Sequence, residues 1–153
     1  MPSLPHDPLP EHANVIVDRV VTGVSTGLKP MITSGFLGGG LLAIVVTVIA
    51  DDGSALEVWH GHIADLPEAD WPEDSYGIAR AKTALTLRTG LTAEQVHKSH
   101  PGLLLPGDVE WWGNTQLQIG GRRVIVSASG LDEIWDQRIC EAIADLLVIA
   151  LAS

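Results

Sequence analysis

Residues 41–50, LLAIVVTVIA, constrain the fold more than any other part of the chain. The run is apolar at nearly every position and rich in β-branched side chains, which favour extended backbone. It lacks the apolar–polar alternation of a half-wet strand, so it reads as a strand buried on both faces. It is about half the length of a membrane span. Asp51-Asp52-Gly53-Ser54 follows, and its Asp-Gly pair favours a tight hairpin. The returning strand is ALEVWHGH, where Leu56, Val58, His60 and His62 alternate with Glu57, Trp59 and Gly61.

The remaining pattern supplies the layers around this hairpin. Residues 11–26 place Val15, Val17, Val20, Val21 and Val24 near one side of a helix, which SGFLGGG then breaks. Residues 65–74 form a loop with two prolines. Ser75 is the expected cap of a helix, SYGIARAKTALTLR, stopped by Gly90. Thr92 caps a short second helix, AEQVHKSH, ended by Pro101. GLLLPGDVEWWGN is irregular. TQLQIGGRRVIVSAS is a second hairpin around Gly120-Gly121, and DEIWDQRICEAIADLLVIAL is a last helix opened at Asp132 or the residue before it. Links as short as 51–54 and 120–121 cannot be crossovers, so the sheet is antiparallel and helices must cover a face of it. The expected class is α+β, with about five strands flanked by helices.

A chain of 153 residues fits one domain, taken as 11–153, behind a flexible N-terminal arm, 1–10, that carries four prolines. That arm has neither the basic nor the apolar stretch of a signal peptide. A net charge of −10 argues against non-specific binding to nucleic acid or anionic membrane. One cysteine, Cys140, excludes an internal disulfide and fits a reducing, cytoplasmic compartment. It lies in a helical pattern where a small buried residue is expected. Aromatics are few, yet five of the seven are Trp.

SYGIARAKTALTLRTG, then a Gly/Pro-containing loop, then QIGGRRVIVSASG followed by DEIWDQRICEAIADLL together resemble the GlcG/HbpS family. The resemblance rests on order and spacing over roughly residues 75–130 plus the last helix. It implies a profilin-like fold that forms homo-oligomers, with some members binding haem and some linked to cobalamin or glycolate pathways. Trp111-Trp112-Gly113-Asn114 stands where the family usually shows a Gly-rich segment, which points to a ligand pocket of this chain's own.

His60 and His62 lie two apart on a strand, so both leave the same face. His97 and His100 lie three apart in a helical pattern. Together they offer imidazole nitrogens to a metal, or an axial ligand to haem, although no fixed metal motif is present. Solvent-facing or hydrogen-bonded histidines are the simpler reading. Asp132, Glu133 and Asp136 open the last helix, where its dipole favours carboxylates. Asp136, beside Gln137, best matches the family's acidic pair and is the candidate general base or hydrogen-bond anchor. Arg80 and Lys82 sit in a helix made otherwise mostly of Ala, Ile, Leu and Thr, where a solvated face is the plain alternative. Lys82 matches the family's basic position and would anchor a carboxylate, such as a haem propionate. Trp59, Trp111, Trp112 and Trp135 are expected to border one pocket or one subunit interface. Two functions follow. The first is a small oligomeric ligand-binding protein with an apolar, Trp-lined pocket, for haem or a related cofactor. The second is an acid–base isomerase or lyase using His60, His62 and Asp136 on a modest hydrophobic substrate.

Overall fold

The computed structural model describes residues 11–119 and 121–151; the arm expected at 1–10 lies outside them. Helix α1, Glu11–Thr33, leads into strands β1, Leu41–Ile49, and β2, Ala55–Ala64. Helices α2, Ser75–Thr89, and α3, Ala93–Ser99, come next. Strands β3, Asn114–Ile119, and β4, Arg122–Ser129, precede the last helix, α4, Glu133–Leu151. The sheet is antiparallel in the order β2-β1-β4-β3.

The sequence pattern explains why β1 is interior. Leu42, Ile44, Val46 and Val48 face α1 and α4 in the main core, while Ala43 and Val45 pack on the opposite side against Tyr76 and Ala79 of α2. Both faces are dry, as a strand without alternation requires. The expectation of about five strands is corrected to four among the described residues. The stretch that would supply another, residues 104–113, holds Pro106 and Gly107, and its Leu105 and Trp111 side chains are exposed. Proline cannot donate to a ladder, and glycine weakens a strand.

Helix α1 also runs further than residues 11–26 suggested, through Pro30 to Thr33. Proline forfeits one amide donor, but residue 26, whose carbonyl it would meet, is exposed and can bond to water. The cap of α2 is Asp74 rather than Ser75: the Asp74 carboxylate accepts from the Gly77 amide at 3.0 Å, and Ser75 is the first helical residue. Thr92 caps α3 as expected, with Gln95 completing a reciprocal capping box.

Asn114 ties these layers together. It is fully buried at the start of β3. Its Oδ1 accepts from the Ala93 amide at 2.9 Å, and its Nδ2 donates to the Lys82 carbonyl at 3.1 Å and to Thr86 Oγ1 at 2.8 Å. Its main chain exchanges two bonds with the Gln137 amide group of α4. One side chain therefore joins β3 to α2 and α3. Asn114→Ala orphans the Ala93 amide at the start of α3 and removes a donor from Thr86 Oγ1 and the Lys82 carbonyl, and is expected to cost about 1–3 kcal/mol of unfolding free energy in urea titrations, the penalty of one unsatisfied buried donor.

Candidate functional site

Helices α2 and α4 cover opposite faces of the sheet, yet they meet around its end, where the chain enters β3 and leaves β4. Lys82 reaches there from α2 and Asp136 from the first turn of α4. Lys82 Nζ stands 3.6 Å from Asp136 Oδ2 and donates to the Ala128 carbonyl at 2.7 Å. Asp136 Oδ1 accepts from the Leu131 amide at 3.2 Å. The relative exposures are 1 % and 2 %, so the plain alternative of a solvated face does not apply to Lys82, which is wholly buried.

Burial disfavours the charged form of each group. It pushes Asp136 up to about 6, against the pull of Lys82 and of the Leu131 amide. It lowers Lys82 below the ordinary lysine value, against the pull of Asp136 and, more weakly, of Cys140 and Glu133. Cys140 lies beneath the pair, fully buried, its Sγ 3.6 Å from the Gly113 carbonyl oxygen, and burial raises its thiol far above the usual range. It is an inert core residue, as its place in the helical pattern suggested.

Gly113 makes the arrangement possible. Its φ is +142°, and a Cβ there would stand 2.6 Å from Asp136 Cβ and 3.0 Å from Lys82 Nζ. A side chain at this position would meet the Lys–Asp pair directly.

The pair forms part of the wall of a cavity of about 210 Å³, lined also by Glu73, Ile78, Trp111, Ser129 and Glu133. Larger depressions on the surface, such as that at Glu68, Trp71 and Asp74, are open and contain no buried charged side chain. The Lys82 cavity differs from the apolar, Trp-lined pocket expected from composition. Trp111 is the one tryptophan in its lining, and three carboxylates face one ammonium. A carboxylate ligand on Lys82 would meet that net negative lining, so the expected anchoring of a propionate is disfavoured.

The other tryptophans go elsewhere. Trp112 packs half-buried against Leu85, Ala93 and Val96, with Lys98 Nζ 4.5 Å from its ring centroid. Trp59 lies on the α1 side, its indole donating to Asp18 at 2.9 Å. Trp135 is exposed on α4. The adjacent Trp111 and Trp112 do diverge, one to the cavity rim and one to a core cluster.

His60 and His62 share a face, as the strand period requires, but they do not line the cavity. Both rings lie edge-on to Tyr76, at 5.6 and 5.9 Å between centroids. His62 Nδ1 pairs with the Tyr76 hydroxyl at 2.9 Å. His60 Nδ1 lies 3.2 Å from Glu57, which Arg80 holds through two bonds of 2.8 and 3.0 Å. His97 is on another element, bonded to the Val109 carbonyl, so the two histidine pairs do not converge. Among the described residues no cluster of three or more His, Cys, Asp or Glu could hold a metal ion. Asp132 also parts from Asp136: its carboxylate lies over Gly38, while its carbonyl accepts from the first amides of α4.

Sequence reasoning missed Trp71, Tyr76, Gly113 and Ser129. Trp71, in the loop of residues 65–74, lies 4.9 Å from the His62 ring and edge-on to it. The one local signal was Gly113, a glycine directly after two tryptophans.

The fold and this geometry can be set against known proteins. No family model matches the chain. No curated protein matches it either. Solved structures do. The protein of "Crystal Structure of PduOC:Heme Complex" superposes with a TM-score of 0.57 at 16 % identity, over 92 % of this chain and 95 % of that one. HbpS gives 0.53 at 16 % identity, over 96 % and 94 %. The Ybr137w protein gives 0.53 at 16 % identity, over 88 % and 78 %. The chain therefore has the α+β fold of HbpS and the PduOC protein, the fold that its resemblance to GlcG/HbpS implied. None of the helices among the described residues is long and apolar enough to cross a membrane.

Proposed function

We propose that the chain is a small-molecule-binding protein of the cytoplasm, working as a homo-oligomer, whose ligand occupies the cavity beside Lys82 and Asp136. The observation that carries this reading is a fully buried lysine–carboxylate pair in the wall of a cavity. A buried ion pair is a poor device for stability, since apolar residues of like volume serve as well or better. Perturbed titratable groups in a cleft are, by contrast, the usual mark of a binding or reacting site. Ser129, the Gly130 main chain and the pair supply polar contacts, and Trp111 supplies a flat apolar rim. With three carboxylates in the lining, the favoured ligand is compact and neutral or cationic. The exposed Trp135, Leu146 and Ile149 on α4 support self-association.

Haem does not fit this cavity. The lining has no His, Met, Cys or Tyr to act as an axial donor, and the volume is about 210 Å³. A second reading keeps haem on the outer face of β2. There the Glu57–His60 contact resembles the carboxylate support that metal-bound imidazoles commonly have. His60 is largely exposed, so a slot for the macrocycle would need a second copy of the chain.

The test is native mass spectrometry of the isolated protein with its absorbance spectrum, followed by Trp111→Ala. A retained small molecule without a Soret band, bound about tenfold more weakly after Trp111→Ala, is the expected result; one rim aromatic contributes on the order of 1–2 kcal/mol. The folded state should survive, because Trp111 is 45 % exposed. A Soret band abolished by His60→Ala would favour the second reading. Acid–base turnover by His60, His62 and Asp136 acting together is not supported, since the histidines and the carboxylate occupy different places.

A further inference from the structure

Lys82 is placed to do more than donate a hydrogen bond. Lys82 lines the cavity, and its Nζ has a carboxyl group 3.6 Å away, a carbonyl oxygen at 2.7 Å and, at residue 113, a glycine whose Cβ would stand 3.0 Å from it. The cavity is closed enough to exclude bulk water from most of the pair. We propose that Lys82 captures a small aldehyde or ketone as an imine, with Asp136 moving the protons; this rests on the cavity reading above and names the class of its ligand.

The step balances without an oxidant or reductant. The first event is transfer of one proton from the Lys82 ammonium to the Asp136 carboxylate 3.6 Å away, which leaves Lys82 as a neutral amine with a free lone pair. Nζ adds to the carbonyl carbon, and the carbon–oxygen π pair moves to oxygen. The amine proton passes to that oxygen through Asp136, giving a carbinolamine. The nitrogen lone pair then expels the hydroxyl group, which takes the Asp136 proton and leaves as water. The product is an iminium beside a carboxylate, so the ion pair is restored with the ligand attached. Ala128 O, which orients Nζ, contributes no proton.

The electrostatics agree with the geometry. The charged and titratable groups around Nζ are Asp136, Glu133 and Cys140 from α4 and Glu73 from the loop before α2. Burial outweighs their pull and lowers Lys82, so a larger share of it is neutral at pH 7 than of an ordinary lysine. The chain holds only two other lysines, Lys29 and Lys98, and both are exposed.

The experiment treats the full chain with acetaldehyde and cyanoborohydride at pH 7 and maps the ethylated lysines by peptide mass. Lys82 is expected to be modified at least about tenfold faster than Lys29 or Lys98, because burial favours its neutral amine and Asp136 moves the protons of imine formation. Asp136→Asn should slow Lys82 and leave the other two unchanged, with circular dichroism confirming the fold. Equal or slower modification of Lys82 in folded wild type overturns the proposal. If Lys82 stays unmodified while a non-covalent ligand still quenches Trp111, the imine falls and the cavity reading stands. If neither occurs, both fall.

Discussion

Lys82→Met is expected to lower the unfolding free energy by about 3–5 kcal/mol, the cost of stranding a buried charge. Asp136 loses its cation but keeps its burial, so it must hold a proton at neutral pH or stand uncompensated. Adding Asp136→Leu should recover most of the loss, because two apolar side chains can fill the same space. Urea titrations of the wild type, each single variant and the double variant form the cycle that reads this coupling.

The same pair has a pH signature. Asp136 titrates near 6 when folded, against an ordinary 3.8. Between those values the folded chain holds a proton that the unfolded chain has released, so stability falls as the pH rises through this window. Lys82 acts in the opposite sense at alkaline pH. Its folded value lies below 10.5, so the unfolded chain holds the extra proton there and stability rises with pH up to 10.5. From pH 7 down to pH 4, the wild type should therefore gain on Asp136→Asn by on the order of 1–3 kcal/mol. Arg88 works against this trend elsewhere, holding Asp108 down to about 2 through its hydrogen bonds, which is why the comparison is with the variant rather than with wild type alone.

Gly39→Ala should be the most damaging small substitution, costing more than about 4 kcal/mol and depleting folded protein. A Cβ at Gly39 would run into the Gly130 carbonyl oxygen, and that obstacle is main chain rather than a movable side chain. Here the segment entering β1 crosses the segment leaving β4, tied by the Asp132 amide to the Leu37 carbonyl at 3.0 Å. The crossing also sets where α4 begins, and hence where Asp136 stands. Gly23→Ala is the internal contrast. Gly23 is in α1 with open space around it, so the same added methyl should stabilise by about 0.5–1 kcal/mol through helix propensity. Chemical denaturation of both variants checks the opposite signs.

Local signals made most of the fold legible. The unbroken apolar run of β1, the Asp-Gly and Gly-Gly hairpins, the Thr92 capping box and the Gly90 stop each depend on residues a few positions apart. The missing fifth strand and the longer α1 were set by tertiary context: exposure of Trp111 and Leu105 in one case, solvent access at residue 26 in the other. The site was half legible. Lys82 and Asp136 were both singled out, but from separate features, and nothing in the spacing says that α2 and α4 meet around the sheet end. Counting tryptophans misled, because adjacent Trp residues on irregular backbone went to different environments and Trp59 to the opposite layer.

Binding at the Lys82 cavity is tested most directly by an amide correlation spectrum of the protein, titrated with haem and with a panel of compact neutral, cationic and carbonyl compounds. The expected result is a saturable shift of Gly38, Trp111, Gly130 and Glu133 with at least one compact compound, while His62 and Trp71 stay in place. Shifts confined to His60, His62, Trp71 and Tyr76, or no saturable shift with any compound, would contradict it.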